Sequence, residues 1–181
     1  MGLTHFPNGV SSFGVPVLPG VNAGAYSGNT YFVDSGAGLN SNPGTFQKPF
    51  ATIDYAVGKC TASNGDVIFV KEGHTETVTA AAGLDLDVVG ITIVFLGTGN
   101  GRGSITFTTA VGADMDVDAA DITLINPRFV AGIDALTGPI DVNAARFKMI
   151  NATWQDGTAI NTTDCLIADA NADDMVKVTS G

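Results

Sequence analysis

The chain has 181 residues, 45% apolar and 14% charged, with 23 glycines and 18 acids against 8 bases for a net charge of -10. That length gives one domain with one core, and the glycine-rich, charge-poor composition fits an all-β protein with many turns better than a helical one. The acidic balance repels phosphate backbones and argues against nucleic acid as a direct partner, and no apolar run approaches the length of a membrane span.

Residues 1–29 contain Pro7, Pro16 and Pro19, with Leu3, Phe6, Val10, Phe13, Val15, Val17 and Leu18 scattered among glycines and no sustained helical or strand period. This predicts an extended arm, whose apolar residues are candidates for binding a neighbouring subunit or a shell surface. The first 20 residues carry no Lys or Arg and no continuous apolar segment. They make a poor signal peptide, so synthesis and folding in a cytoplasm are expected.

Residues 30–64 read as a cap. Tyr31 to Val33 is a short β-type run that breaks into a polar loop closed by Pro43-Gly44. Beyond Pro49, the residues Phe50, Ile53, Tyr55, Ala56 and Val57 recur at helical spacing. They predict an amphipathic helix about three turns long that ends near Gly58. Asn64-Gly65-Asp66 is a turn, and the uninterrupted apolar run Val67 to Val70 is a strand buried on both faces.

Tyr31, Val33 and Asp34, then Gly38, Asn40, Gly44 and Thr45, then Pro49, Phe50, Thr52, Ile53, Ala56 and Val57, and finally Gly65 to Ile68 with Val70 resemble the opening of right-handed parallel β-helix proteins of the pectate-lyase-like type. The resemblance implies a short right-handed parallel β-helix with an N-terminal cap helix. The preceding THFPNGVSSFGV is similar to the start of tailed-bacteriophage virion structural proteins. That second likeness implies a capsid decoration or cement protein, a homotrimer bound to major capsid protein or other virion proteins on the capsid surface.

Residues 65–181 read as the coils. From Ile122-x-Leu124, a step of 25 reaches Phe147-x-Met149 and carries Ile125 to Ile150, Asn126 to Asn151, Phe129 to Trp154, Ile140 to Cys165 and Val142 to Ile167. Backward, Ile91-x-Ile93 lies 31 before, the excess being the insert GTGNGRG, and Val67-x-Phe69 lies a further 24 before. Forward, Val176-x-Val178 follows Phe147 by 29. Roughly four coils therefore stack on the cap, each burying what its neighbour exposes.

The same register stacks Asp85, Asp116 and Asp141, and separately Asp87, Asp118 and Asn143. Parallel neighbours about 4.8 Å apart would repel by roughly 3 kcal/mol per pair at an intermediate dielectric, and by far less when solvated. Relief could come from water and salt, a raised carboxyl pKa, a basic side chain of a neighbour, or a divalent cation. Ca2+ held by Asp85, Asp116 and Asp141 is thus a candidate metal site, although Asp114-x-Asp116-x-Asp118 lacks the glycine and terminal Glu of a calcium loop. No other cofactor is read.

Further candidates have bland readings beside the functional ones. Asn126 and Asn151 resemble the asparagine ladder of β-helix enzymes, a structural role, and Phe129 with Trp154 reads as a core stack before a sugar platform. His74 reads as a surface histidine; as a general base it would need Glu72 or Glu76 to orient it. The glycine insert lacks the Lys-Ser or Lys-Thr of a phosphate loop and reads as a flexible turn. Cys60 and Cys165 have no metal-type spacing and read as reduced, buried thiols.

Pectate-lyase-like enzymes use a calcium-binding carboxylate cluster with a basic residue nearby. Arg128 and Arg146, taken as the coil-face arginines here, sit in no such cluster. The resulting expectation is a non-enzymatic virion protein without catalytic residues. The alternatives are a tail fibre or spike module that binds host glycan through Trp154 and the aspartate faces, and a pectate-lyase-like polysaccharide-degrading enzyme.

Overall fold

Short alternations of apolar and polar residues, each ended by Gly, Asn or Asp, fold here into three strands per coil, and the coils stack in parallel as a β-helix. The computed structural model describes residues 28–156, and beyond them the backbone of Val10–Ser12, Val15–Val17, Ile167–Ala168 and Lys177–Thr179.

In the arm, β1 (Val10–Ser12) and β2 (Val15–Val17) pair antiparallel, Val10 opposite Val17, and join no other described strand. Leu3, Phe6, Phe13 and Leu18 lie outside the described residues. The cap consists of β3 (Thr30–Val33) and α1 (Ile53–Val57). Thr52 caps the helix by accepting the Tyr55 N–H at 3.2 Å, and Gly58 ends it.

The helix has five residues where the spacing predicts about three turns. The tertiary structure uses Phe50 as a parallel bridge to Val33 instead. Its N–H donates to Phe32 O at 2.9 Å and its carbonyl accepts from Asp34 N–H at 3.0 Å. Backbone groups committed to β3 in this way cannot begin a helical ladder.

The first coil is β4 (Val67–Val70), β5 (Thr75–Val78) and β6 (Leu84–Leu86). The second is β7 (Thr92–Phe95), β8 (Ser104–Phe107) and β9 (Met115–Val117). The third is β10 (Thr123–Ile125), β11 (Arg128–Ala131) and β12 (Ile140–Val142). A fourth follows with β13 (Lys148–Ile150), β14 (Thr153–Asp156) and β15 (Ile167–Ala168), and β16 (Lys177–Thr179) adds the next strand. Three sheets result, ordered β3-β4-β7-β10-β13-β16, β5-β8-β11-β14 and β6-β9-β12-β15.

Inward rows of these sheets make the core. Ile68, Ile93, Leu124 and Met149 are successive partners in the first sheet, and Leu84, Met115 and Ile140 in the third. All seven are buried. α1 closes one end of this core with Ile53, Ala56 and Val57 buried, in contact with β3, β4 and β6.

Two expected registers are off by one residue. Ile68, not Phe69, pairs with Ile93, a step of 25 (93 − 68) in place of 24. All four residues of β4 are buried, so no alternation in the sequence marks its inward face. Val142 pairs with Ala168, not Ile167, a step of 26 (168 − 142). The other anchors hold: Leu124 pairs with Met149, Phe129 with Trp154, and Met149 with Val178.

Candidate functional site

At the corner between the first and second sheets, the chain turns within two residues, Asn126-Pro127 after β10 and Asn151-Ala152 after β13. Such a turn needs a left-handed residue, and asparagine tolerates that conformation: Asn126 has φ 61° and Asn151 φ 55°. Their side chains stack, the Asn151 amide donating to Asn126 Oδ1 at 2.7 Å. The Asn126 amide in turn donates to Phe95 O at 2.9 Å and Gly97 O at 3.3 Å. The asparagine ladder expected from the resemblance is present.

In the second coil the same corner is occupied by the glycine insert, with a 3-10 turn at Gly99–Gly101. This insert is an ordered element that delivers Arg102 into the corner, in place of the expected flexible turn. Arg102 is 8% exposed. Its Nη1 donates to Asn126 Oδ1 at 2.6 Å and to Asn151 O at 3.3 Å. Nη2 donates to Thr153 Oγ1 at 2.6 Å, and Nε to Gly99 O at 3.2 Å.

One guanidinium thereby ties three coils together. Above it opens a concavity of about 440 Å³ lined by Gly97, Thr98, Gly99, Arg102, Asn126 and Asn151. This lining offers a guanidinium, amides and a hydroxyl, which can bind and orient a polar group.

Nothing in a lone Arg within a glycine run marks it as buried, so the sequence does not set Arg102 among the coil-face arginines. The available signal was positional: the insert falls at the corner that the asparagines occupy in the next coils. Arg128 instead donates to the Gln155 side chain at 2.8 and 3.2 Å, and Arg146 forms an exposed bidentate pair with Asp121 at 2.6 Å.

The aspartate ladder is real in register: Asp85 pairs with Asp116 and Asp116 with Asp141. Each lies between two buried apolar residues of its strand and so on the outer face of the third sheet. One carboxylate oxygen of Asp85 and one of Asp116 is shut from solvent without a hydrogen-bond partner. Burial, then repulsion from Asp114, Asp118 and Asp141, pushes Asp116 up to about 6. Burial and then Asp87, Asp118 and Asp54 raise Asp85.

A raised carboxyl pKa, one of the reliefs expected, holds for Asp85 and Asp116. Among the described residues, no group of three or more His, Cys, Asp or Glu is gathered to hold a metal ion. The companion row also stacks, with the Asn143 amide donating to Asp118 Oδ1 at 2.9 Å.

His74 is buried, contrary to the surface position expected for it. Ser35 N–H donates to its Nδ1 at 2.9 Å. The proton must then sit on Nε2, which faces Glu76 Oε2 at 3.1 Å. The same Glu76 oxygen accepts Ile53 N–H at 2.7 Å, at the start of α1. The burial that shields this pair also removes it from any substrate, and its hydrogen bonds join cap loop, helix and first coil.

Other polar and aromatic groups are also structural. Asp66 is fully buried; burial alone would raise its pKa, but N–H bonds from Thr61 and Asn29 and the Asn64 amide outweigh that and hold it below the usual value. Burial and then Asp66 push the half-buried Cys60 thiol up to about 12. Phe107, Phe129 and Trp154 stack with ring centroids 6.1–6.4 Å apart, so Phe129 and Trp154 form the expected core stack. Cys165 lies outside the described residues.

No protein-family model matches the chain, and no curated protein matches it. Among solved structures it is similar to a rhamnogalacturonan lyase, with a TM-score of 0.51 and 21% identity over 73% of this chain. The match spans only 37% of the lyase chain. At that identity the likeness shows the fold alone: this chain is a parallel β-helix.

Proposed function

We propose that the chain is a non-enzymatic structural protein of a tailed-phage virion. In this reading it is a capsid decoration or cement protein that forms a homo-oligomer, trimeric by resemblance, and binds the shell through its arm. The observation that carries the reading is the inequality of the solenoid's two ends. One end is closed by α1. At the other, β14, β15 and β16 are each outermost in their sheet, with no described strand beyond them.

The edge of an outermost strand can pair with another chain, and a subunit seated there would bury its N–H and C=O groups. The arm adds a second reason. An isolated two-stranded hairpin is marginal in water, and β1 and β2 pair only with each other among the described strands. The lining of the Arg102 corner, a guanidinium with amides and a hydroxyl, suits binding, and a lyase-like fold by itself carries no activity.

The test is the mass in solution by light scattering, with and without residues 1–24. A trimer that loses subunits or shell binding on deletion is the expected result. A monomer in both forms overturns the assembly reading.

A further inference from the structure

We infer that the Arg102 concavity is a binding site for a small ligand bearing a single carboxylate. Arg102 is more than nine-tenths buried, at 8% exposure, and buried cations normally lie against a counter-charge. This one does not. Its described bonds all run to neutral oxygens, those of Gly99, Asn126, Asn151 and Thr153. The ion pairs Lys71–Asp34, His74–Glu76 and Arg146–Asp121 do not involve Arg102.

A guanidinium has five N–H donors, and the four bonds leave one on Nη2 for a ligand. The remaining wall is polar. Thr98 and Asn151 are exposed and offer a hydroxyl and an amide, and Gly97 and Gly99 bring backbone to the surface at φ +95° and +53°. No apolar side chain lines the space, and about 440 Å³ falls in the range of small-ligand sites.

The charge of the ligand follows from the surroundings. The protein carries -10 overall, and the Glu72 side chain lies beside Gly97 and Gly101 at the same insert. That field repels phosphates and polyanions, whereas one carboxylate is matched by one guanidinium. The insert supplies the cation, and the asparagine ladder supplies the amides that orient the head group.

The test is a titration of the full chain, 15N-labelled, with sodium acetate against sodium chloride at equal ionic strength, followed by NMR. Saturable shifts confined to residues 97–103, Asn126 and Asn151 are expected, with a dissociation constant on the order of millimolar. Arg102→Gln should weaken binding at least about tenfold, the loss of roughly one charge-assisted hydrogen bond. Because that change also removes a clasp between coils, Thr98→Glu provides a second variant. It keeps Arg102 and both asparagines, and its own carboxylate should occupy the site and abolish the acetate response. Shifts that fail to saturate, that chloride reproduces, or that persist in Thr98→Glu overturn the inference.

Discussion

At the scale of single residues, the protein holds protons where its sequence repeats a charge and releases them where its turns gather donors. Asp116, held up to about 6 against an ordinary 3.8, keeps its proton in the folded state where an unfolded chain has lost it. The cost of its charged form is therefore absent below the ordinary value and grows in, lowering stability, as pH rises from about 4 to about 6. Asp34, Asp66 and Asp121 have lowered pKa values and behave oppositely, contributing above the ordinary value and losing that contribution in acid. Asp116→Asn should then stabilise the fold by about 1 kcal/mol at pH 7.5, allowing for solvent screening along the open face, and by close to nothing at pH 4. Equal effects on the melting temperature at both pH values would show that repulsion in the ladder is not the cause. A thiol pushed up to about 12 is almost wholly protonated at pH 8. Cys60 in a Cys165→Ser variant should accordingly react with a disulfide reagent at least about 100-fold more slowly than after unfolding.

At the scale of elements, the five-residue helix is too short to stand on its own propensity and depends on what holds its first turn. Two acceptors share that role: Thr52 Oγ1 takes the Tyr55 N–H, and Glu76 takes the Ile53 N–H from the first coil below. Thr52 sits at a partly open cap, so Thr52→Ala should cost about 1 kcal/mol. Glu76→Ala should cost about 3 kcal/mol, because it strands both the Ile53 N–H and the His74 Nε2–H in a buried place. Denaturant unfolding of the two variants measures the order, and Thr52→Ala proving the more damaging would refute it. The corner turns follow a similar division. An asparagine supplies the left-handed conformation locally, but only the parallel neighbour gives its amide a partner.

For the whole molecule, the repeat makes a structural prediction that no single contact makes. Leu124 lies 25 before Met149 and 31 after Ile93 in the same row of the first sheet. Excising residues 122–146 removes 25 residues (146 − 122 + 1) and brings Phe147 to the place of Ile122, Met149 to that of Leu124, and Asn151 to that of Asn126. Nearest-neighbour stacking predicts that this shortened chain still folds cooperatively, at a lower melting temperature. Excising one residue more or fewer should fail, since a slip of one turns every inward side chain outward. Circular dichroism and thermal unfolding of the 24-, 25- and 26-residue deletions distinguish these outcomes.

By itself, the sequence determined the class of fold and most of its register. Alternation and the recurrence of Ile122, Phe147 and Asp116 are local properties, and a solenoid joins each coil only to its neighbours. Phe129 over Trp154 and the aspartate rows were legible for that reason. Tertiary structure decided what depends on contacts that no period encodes. It shortened α1 by pairing Phe50 with β3, shifted β4 by one residue where an all-apolar run left both faces equal, and buried His74 beneath the cap. It also turned a glycine insert into the support for Arg102, because a side chain that bridges three coils finds its partners at Gly99, Asn126, Asn151 and Thr153, positions that adjoin only once the coils have stacked.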